Sequence, residues 1–336
     1  MPDIVWLTES DVLDLVDLNE AVVALEQGLS LEAKGHAHNL EKVLGVWANG
    51  GSMHTLGSMM PERGYAGFKS WVHTPGGATA LFSLFDANDG RLLSVMEAAS
   101  LGQTRTSAIS GVATQLMADE RADDMALIGT GAQALTQAAA VQVVRPLRRV
   151  RVFSRTPDKR AAFCARARDA LGCEIIEARS VEEAVKNAPI ISLITRASEA
   201  FLHADMIARG THVNAAGAIL PGKHEIAQDV FARVSSIVVD NLANARKGSQ
   251  ELIDRFGTSH RGWATVRTLG EVIAAGENRP ADADITLFKP MGMGLSDLSV
   301  AVVAYERARE RGVGVPIAQP RRGTPRWTAA IGEPSA

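Results

Sequence analysis

The stretch Met125-Ala-Leu-Ile-Gly129-Thr-Gly131-Ala-Gln133-Ala134 decides the fold. Its apolar start reads as a buried strand, and the apolar sequence after Gly131 reads as a helix. Gly129 permits the tight turn between them. Gly131 lets the backbone approach a pyrophosphate, and Ala134 stands where a third glycine usually sits yet still allows close helix–strand packing. Thr130, Ala132 and Gln133 complete the turn, and the helix N-terminus offers unpaired N–H groups to phosphate oxygens. A bare G-x-G is a weak signal. Here it follows a strand, precedes a helix and lies in an alternating segment, which is the context that makes it a dinucleotide-binding turn.

Downstream of this turn, apolar strands at residues 125–128, 150–153, 190–194, 211–216 and 237–239 alternate with helical segments, the rhythm of a doubly wound parallel sheet. Ser180-Val-Glu-Glu183 reads as a capping box. The rhythm fades after Asp254. One more helix is expected over residues 298–311, after Gly292-Met-Gly294, and the tail from Pro316, rich in Pro, Arg, Gly and Thr, is expected to be poorly ordered. Upstream, residues 8–35 read as helical, with capping residues in Thr8-Glu-Ser-Asp11 and apolar residues at helical spacing over 18–33. Residues 41–97 change texture: short apolar runs at 43–47, 53–59, 67–72, 80–85 and 92–96 are separated by turn residues, and Asn88-Asp89-Gly90 marks a hairpin. Residues 104–117 read as a helix of small residues.

The 336 residues suffice for two modest domains, and their 46% hydrophobic and 22% charged content is ordinary for a soluble globular chain. A net charge of −3 gives no sign of a nucleic-acid partner; the basic clusters at residues 145–151 and Arg321-Arg322 read as a solvated face and a tail. Cys164 and Cys173 form neither a metal-spaced set nor a disulfide framework, so no metal is expected and a reducing, cytoplasmic setting is the simplest reading. No signal peptide or membrane span is expected.

The next strand distinguishes the two nicotinamide cofactors. An NAD site usually carries an acid about 20 residues past the glycines to hold the ribose 2′-hydroxyl. Here the strand Val150-Arg-Val-Phe153 ends in Ser154-Arg155-Thr156, and no carboxylate appears before Asp158. A guanidinium at Arg155 suits a 2′-phosphate by charge and geometry, with Ser154, Thr156 and Lys159 as helpers, so NADP(H) is expected over NAD(H).

Six segments, the glycine turn among them, carry a resemblance: Gly67-Phe-Lys69, Phe85-Asp-Ala-Asn-Asp-Gly90, Gln103-Thr-Arg105-Thr-Ser-Ala108, Ile128-Gly-Thr-Gly-Ala-Gln-Ala134, Gly210-Thr-His-Val-Asn-Ala-Ala-Gly217, and Thr286-Leu-Phe-Lys-Pro-Met-Gly292 followed by Asp297-Leu. In order and spacing the chain resembles the ornithine cyclodeaminase / mu-crystallin family over nearly its whole length. The resemblance implies an α/β protein with a Rossmann-type dinucleotide domain (119–294) inserted between two parts of an α+β substrate-binding and dimerisation domain (1–118 and 295–336), active on amino acids, imines or 2-oxo acids, and a homodimer. It implies that Arg105 holds a substrate carboxylate. That agrees with an arginine among small helical residues, for which a carboxylate is a natural bidentate partner and an internal ion pair the alternative. It implies that Lys69 stands beside the substrate, as acid–base group or fixed charge, with Phe68 and Ser70 on the other face of its strand. Thr106, Thr195, Asn214, Gly217 and Gly292 join the turn residues as candidate cofactor contacts. Asp297 opens the late helix near the expected cofactor edge and reads as an N-cap, with a catalytic role the alternative.

Departures narrow the chemistry. Ile219 follows Gly217-Ala218 where cyclodeaminases carry an aspartate that acts on the substrate amine. No early-strand arginine matches; Lys42 is the nearest cation and becomes a second candidate for the substrate carboxylate. Gly57-Ser-Met-Met-Pro61 lacks the glutamate that some cyclodeaminases place there. These losses favour an NAD(P)H-dependent reductase of an imine, or of a 2-oxo acid plus amine, over two alternatives: a cyclodeaminase lyase recycling bound NAD, and a non-catalytic NADP(H)-binding protein of crystallin type. His54, His73 and His224 are alternative acids, and Trp47, Met59, Met60 and Trp71 are candidate pocket walls.

Overall fold

A computed structural model describes residues 3–325. Seven strands come first: β1 (Ile4–Leu7), β2 (His38–Asn39), β3 (Val43–Trp47), β4 (Gly51–Met60), β5 (Tyr65–Thr74), β6 (Gly77–Asp86) and β7 (Leu92–Glu97). Then follow β8 (Asp124–Ile128), β9 (Arg149–Phe153), β10 (Glu174–Glu177), β11 (Ile190–Leu193), β12 (Thr211–Ala215), β13 (Val234–Val239), β14 (Val266–Thr268) and β15 (Ile285–Lys289), and last β16 (Val315–Ile317). They form two sheets. One is mixed, in the order β16-β1-β7-β6-β5-β4-β2, with β3 also on β4; the other runs β10-β9-β8-β11-β12-β15-β13-β14 and is parallel throughout. The strand-and-turn texture of residues 41–97 thus becomes antiparallel pairing of β3 to β7, and β6 and β7 make the hairpin around Asn88-Asp89-Gly90.

Five sequence expectations need correction or refinement. The helical stretch of residues 8–35 is divided into two helices. Glu9–Leu15 ends at an extended Val16, and Asp17 starts Leu18–Ala33 by accepting from the N–H of Glu20, whose side chain returns to the N–H of Asp17. That second capping box breaks the helix. The alternating rhythm does not fade after Asp254, since β14, the helix Leu269–Ala274 and β15 continue the parallel sheet. The tail pairs at Val315–Ile317 with β1, while residues 326–336 lie outside the described residues. The cluster at residues 145–151 is not a uniformly solvated face. Arg145 is buried and donates to the carbonyls of Gln115, Ala118, Asp119 and Val144, and Arg149 and Arg151 both pair with Asp124. At Ser180 the box is half formed. Its hydroxyl accepts from the N–H of Glu183, but the Glu183 carboxylate turns to the N–H of Arg179.

One core packs the helices Leu18–Ala33, Ala99–Met117 and Gly294–Arg311 against the mixed sheet through Leu25, Leu29, Phe82, Ile109 and Leu298. Each such side chain contributes roughly 1.5–3 kcal/mol on burial. Two further clusters cover the faces of the parallel sheet. Among the described residues, no helix is long and apolar enough to cross a membrane.

Candidate active site

At the turn after β8, Gly129 has φ +117°, and a Cβ there would lie 2.6 Å from the Ile194 carbonyl oxygen, so only glycine fits. A Cβ on Gly131 would meet nothing within 4 Å, which leaves the backbone open to a ligand. The helix Ala134–Val144 begins without a side-chain cap. No side chain therefore competes with an anion at its first turn, although the Ala134 N–H is taken by the Gly131 carbonyl at 3.1 Å. Ala134 is fully buried against the sheet. The Thr130 hydroxyl donates to Ser154 Oγ at 3.0 Å, tying the end of β8 to the end of β9. Arg155, Thr156 and Lys159 are exposed beside it. Arg160 is occupied by the Ser154 carbonyl and by Glu177, whereas Arg155 makes no hydrogen bond or ion pair among the described residues. These residues fit a dinucleotide.

The second group of residues starts from β5. Gly67 and Lys69 face inward and Phe68 outward, the alternation a strand imposes. Helix Gly294–Arg311 lies over that inner face. Gly294 sits so close to Gly57 of β4 that a Cβ would be 2.3 Å from the Gly57 carbonyl oxygen. The helix start is held from outside: the Leu295 N–H donates to Asn39 Oδ1 at 2.8 Å. Asp297 lies one turn in, so it is not the N-cap that the sequence suggested; Met293 occupies that position. Instead the Asp297 carboxylate, fully buried, takes Lys69 Nζ at 2.6 Å and Arg105 Nε at 3.2 Å, both on Oδ1. Among the described residues, Oδ2 is buried with no partner and the two Nη groups of Arg105 make no hydrogen bond.

Burial holds Lys69 well below its ordinary value, at about 8. Asp297 opposes that shift, and Arg105 and Lys42 add to it. Lys42 is also lowered, first by burial and then by Arg105. Lys69 Nζ lies 5.2 Å from the centre of the Trp71 ring, and Trp71 stacks on His54 at 4.5 Å. His54 is thus a wall rather than an open acid, with Nε2 on Ser52. His224 bonds Asp254, and Met60 is core. Trp47 is half exposed on β3.

The two groups of residues adjoin. Gln137, in the helix after the glycine turn, donates to the carbonyl of Thr106, next to Arg105. Gly292, after β15, approaches the Arg105 guanidinium. Its N–H and that of Met291 are taken by Asp240 at 2.6 and 2.7 Å, and its carbonyl by Asn244 at 2.8 Å. Asp240 was not among the sequence candidates, although an acid closing the apolar run of β13 was a usable signal. Two candidates stand differently from expectation. Asn214 is fully buried, with its amide on Thr114 and its oxygen facing His212, so its side chain offers no surface to a cofactor. The Thr195 hydroxyl points into the protein, donating to Glu225, another residue the sequence did not single out.

The fold and site define a two-sheet dinucleotide-binding protein with a buried Lys–Asp–Arg cluster beside the nucleotide turn. The chain belongs to the ornithine cyclodeaminase/mu-crystallin family, whose model matches residues 3–312. It is 33% identical over 234 residues to Delta(1)-pyrroline-2-carboxylate reductase of Bacillus cereus (69% of this chain, 71% of that one). It is 30% identical over 318 residues to alanine dehydrogenase of Archaeoglobus fulgidus (92% and 96%). The solved Delta(1)-pyrroline-2-carboxylate reductase of Thermococcus litoralis, in complex with NADH and L-proline, superposes with a TM-score of 0.87 at 27% identity, covering 94% of this chain and 100% of that one.

Proposed function

We propose that this protein reduces a carboxylate-bearing imine, preformed and cyclic or assembled from a 2-oxo acid and an amine, with NADPH preferred over NADH. The broader class is that of its relatives, NAD(P)-dependent oxidoreductases of C=N and CH–NH2 bonds. The observation that carries the reading is the pair of vacant valences at one carboxylate. Among the described residues, Asp297 Oδ2 is a buried acceptor with nothing to accept, and Arg105 beside it keeps its two Nη donors free. An acceptor for N–H and a fork for a carboxylate match the head group of an amino or imino acid.

When bound, the reduced nicotinamide supplies the hydride to the substrate carbon. Arg105, with Lys42, holds the carboxylate. Asp297 orients the nitrogen through Oδ2 and keeps Lys69 in place through Oδ1. Lys69 Nζ, with a pKa near 8, hands a proton to the nitrogen in the reducing direction and takes it back in the oxidising one. Gly129, Thr130, Gly131, Ala132 and Gln133 receive the pyrophosphate, and Arg155, with Ser154, Thr156 and Lys159, receives the 2′-phosphate. Gly217 and Gly292 border the nicotinamide half. Residues 1–118 and 295–336 are assigned to substrate binding and dimerisation, and 119–294 to the dinucleotide. The exposed apolar side chains of β3, Val43, Val46 and Trp47, support a homodimer. Ile219, exposed and without proton chemistry, gives the lyase alternative no support.

The test is NADPH consumption across a panel of cyclic imino acids and of 2-oxo acids with ammonia or methylamine. Turnover of at least one member is expected. A protein that binds NADPH and oxidises it with none would instead be the crystallin-type binder.

A further inference from the structure

Glu225 is fully buried, and each of its oxygens accepts twice. Oε1 takes the N–H and the hydroxyl of Thr195, both at 2.7 Å; Oε2 takes the N–H groups of Gly217 and Ala218, both at 2.9 Å. These donors are the chain segments leaving β11 and β12, which are neighbours in the parallel sheet. The approach is so close that a Cβ on Gly217 would lie 2.3 Å from Glu225 Oε1 and from Thr195 N. Behind it stands a second buried carboxylate. Glu251 Oε1 accepts from the N–H groups of Glu225 and Ile226, and Oε2 lies 2.6 Å from Nζ of Lys289, the last residue of β15. One carboxylate therefore staples the ends of β11 and β12, and another fastens that staple to β15.

The strand order places this frame. The glycine turn and Arg155 belong to β8 and β9, and the frame belongs to β11, β12 and β15 on the other side of the β8–β11 reversal. A dinucleotide laid across such a reversal has its adenosine half on the first side and its nicotinamide half on the second. We infer that Glu225 is a positioning residue for the nicotinamide half, acting through the backbone of Thr195 and Gly217, which it fixes at the cleft edge. The inference rests on the dinucleotide reading proposed above. Three of the four donors are backbone N–H groups that can only donate, so glutamine in this place would set its NH2 group against at least one of them.

The test is titration calorimetry of the wild type, Glu225→Gln and Thr195→Val with NADPH and NADH, and with 2′,5′-ADP and ADP as probes of the adenosine half alone. Glu225→Gln is expected to weaken both dinucleotides about tenfold or more, since buried donors lose their acceptor, and to leave unchanged whichever adenosine probe the wild type binds. Thr195→Val, which removes one donor of the four, is expected to act in the same direction by a smaller factor. Should Glu225→Gln fail to fold, Thr195→Val decides by the same comparison. Unchanged dinucleotide affinity, or equal loss of dinucleotide and adenosine probe, would overturn the inference. A wild type that binds neither dinucleotide would overturn the dinucleotide reading itself, and this inference with it.

Discussion

Lys69 Nζ lies 2.6 Å from Asp297 Oδ1, in a pair that is buried on both sides and joined from a third by Arg105. The same carboxylate therefore anchors the proton-bearing group and the group that would hold the substrate. Removing any one of the three changes a different step.

Lys69→Met removes the proton at Nζ and keeps most of the side-chain volume. A loss in kcat of about 10²- to 10⁴-fold is expected, the usual worth of a positioned acid–base group. Dinucleotide affinity, read by fluorescence titration, should not move. A parallel loss of both would reassign Lys69 to the cofactor.

The pH dependence follows from the sign of the Lys69 shift. With a pKa lowered to about 8, the group is protonated below that value and neutral above it. Reductive kcat/KM should therefore fall as pH rises through about 8, and oxidative kcat/KM should rise through the same window. Asp297 raises the Lys69 pKa, so Asp297→Asn should move both limbs to lower pH. For stability, the unfolded chain holds this proton from about 8 up to the ordinary value of 10.5 while the folded one does not. The cost of burying Lys69 is then fully present below pH 8 and fades across that window. Urea unfolding of wild type against Lys69→Met should show the wild type gaining relative stability there; a constant difference would count against a buried, depressed lysine.

Arg105→Lys keeps the charge and loses the fork. KM for the carboxylate-bearing substrate should rise roughly tenfold or more, because charge-assisted bidentate bonds are not replaced by a point charge. Product formation at saturating substrate should fall far less.

Much of this site was legible in the sequence. Gly129 and Gly131 stood out because strand, turn and helix follow within a few residues, and Lys69 because Gly67-Phe-Lys69 matches the family's strand lysine; alternation alone did not say which face of β5 is inner. Arg105 stood out among small residues. Asp297 was harder. A residue early in a helix reads as a cap, and its partner lies 228 positions away. Glu225 and Glu251 left little trace because the groups they face are mostly backbone N–H donors, which have no residue signature, and Asp240 left only its place at the end of the apolar run of β13. The three-residue pairing of Val315–Ile317 with β1 was hidden for a similar reason: it is too short, and contains a proline, to show a period.

Arg155→Ala addresses the cofactor preference. The exposed guanidinium has no other partner among the described residues, so its loss should weaken NADPH binding by roughly ten- to a hundredfold and barely touch NADH. Equal effects on both would remove the preference for NADPH.

The most direct test of the reductase reading follows the label. With NADPH carrying deuterium at the transferable position and a cyclic imino acid or a 2-oxo acid plus amine as acceptor, the account predicts a product amino acid with one deuterium on its α-carbon and matching oxidation of the cofactor. Unlabelled cyclic imino acid formed from a diamino acid, with no net change in the dinucleotide, would contradict it.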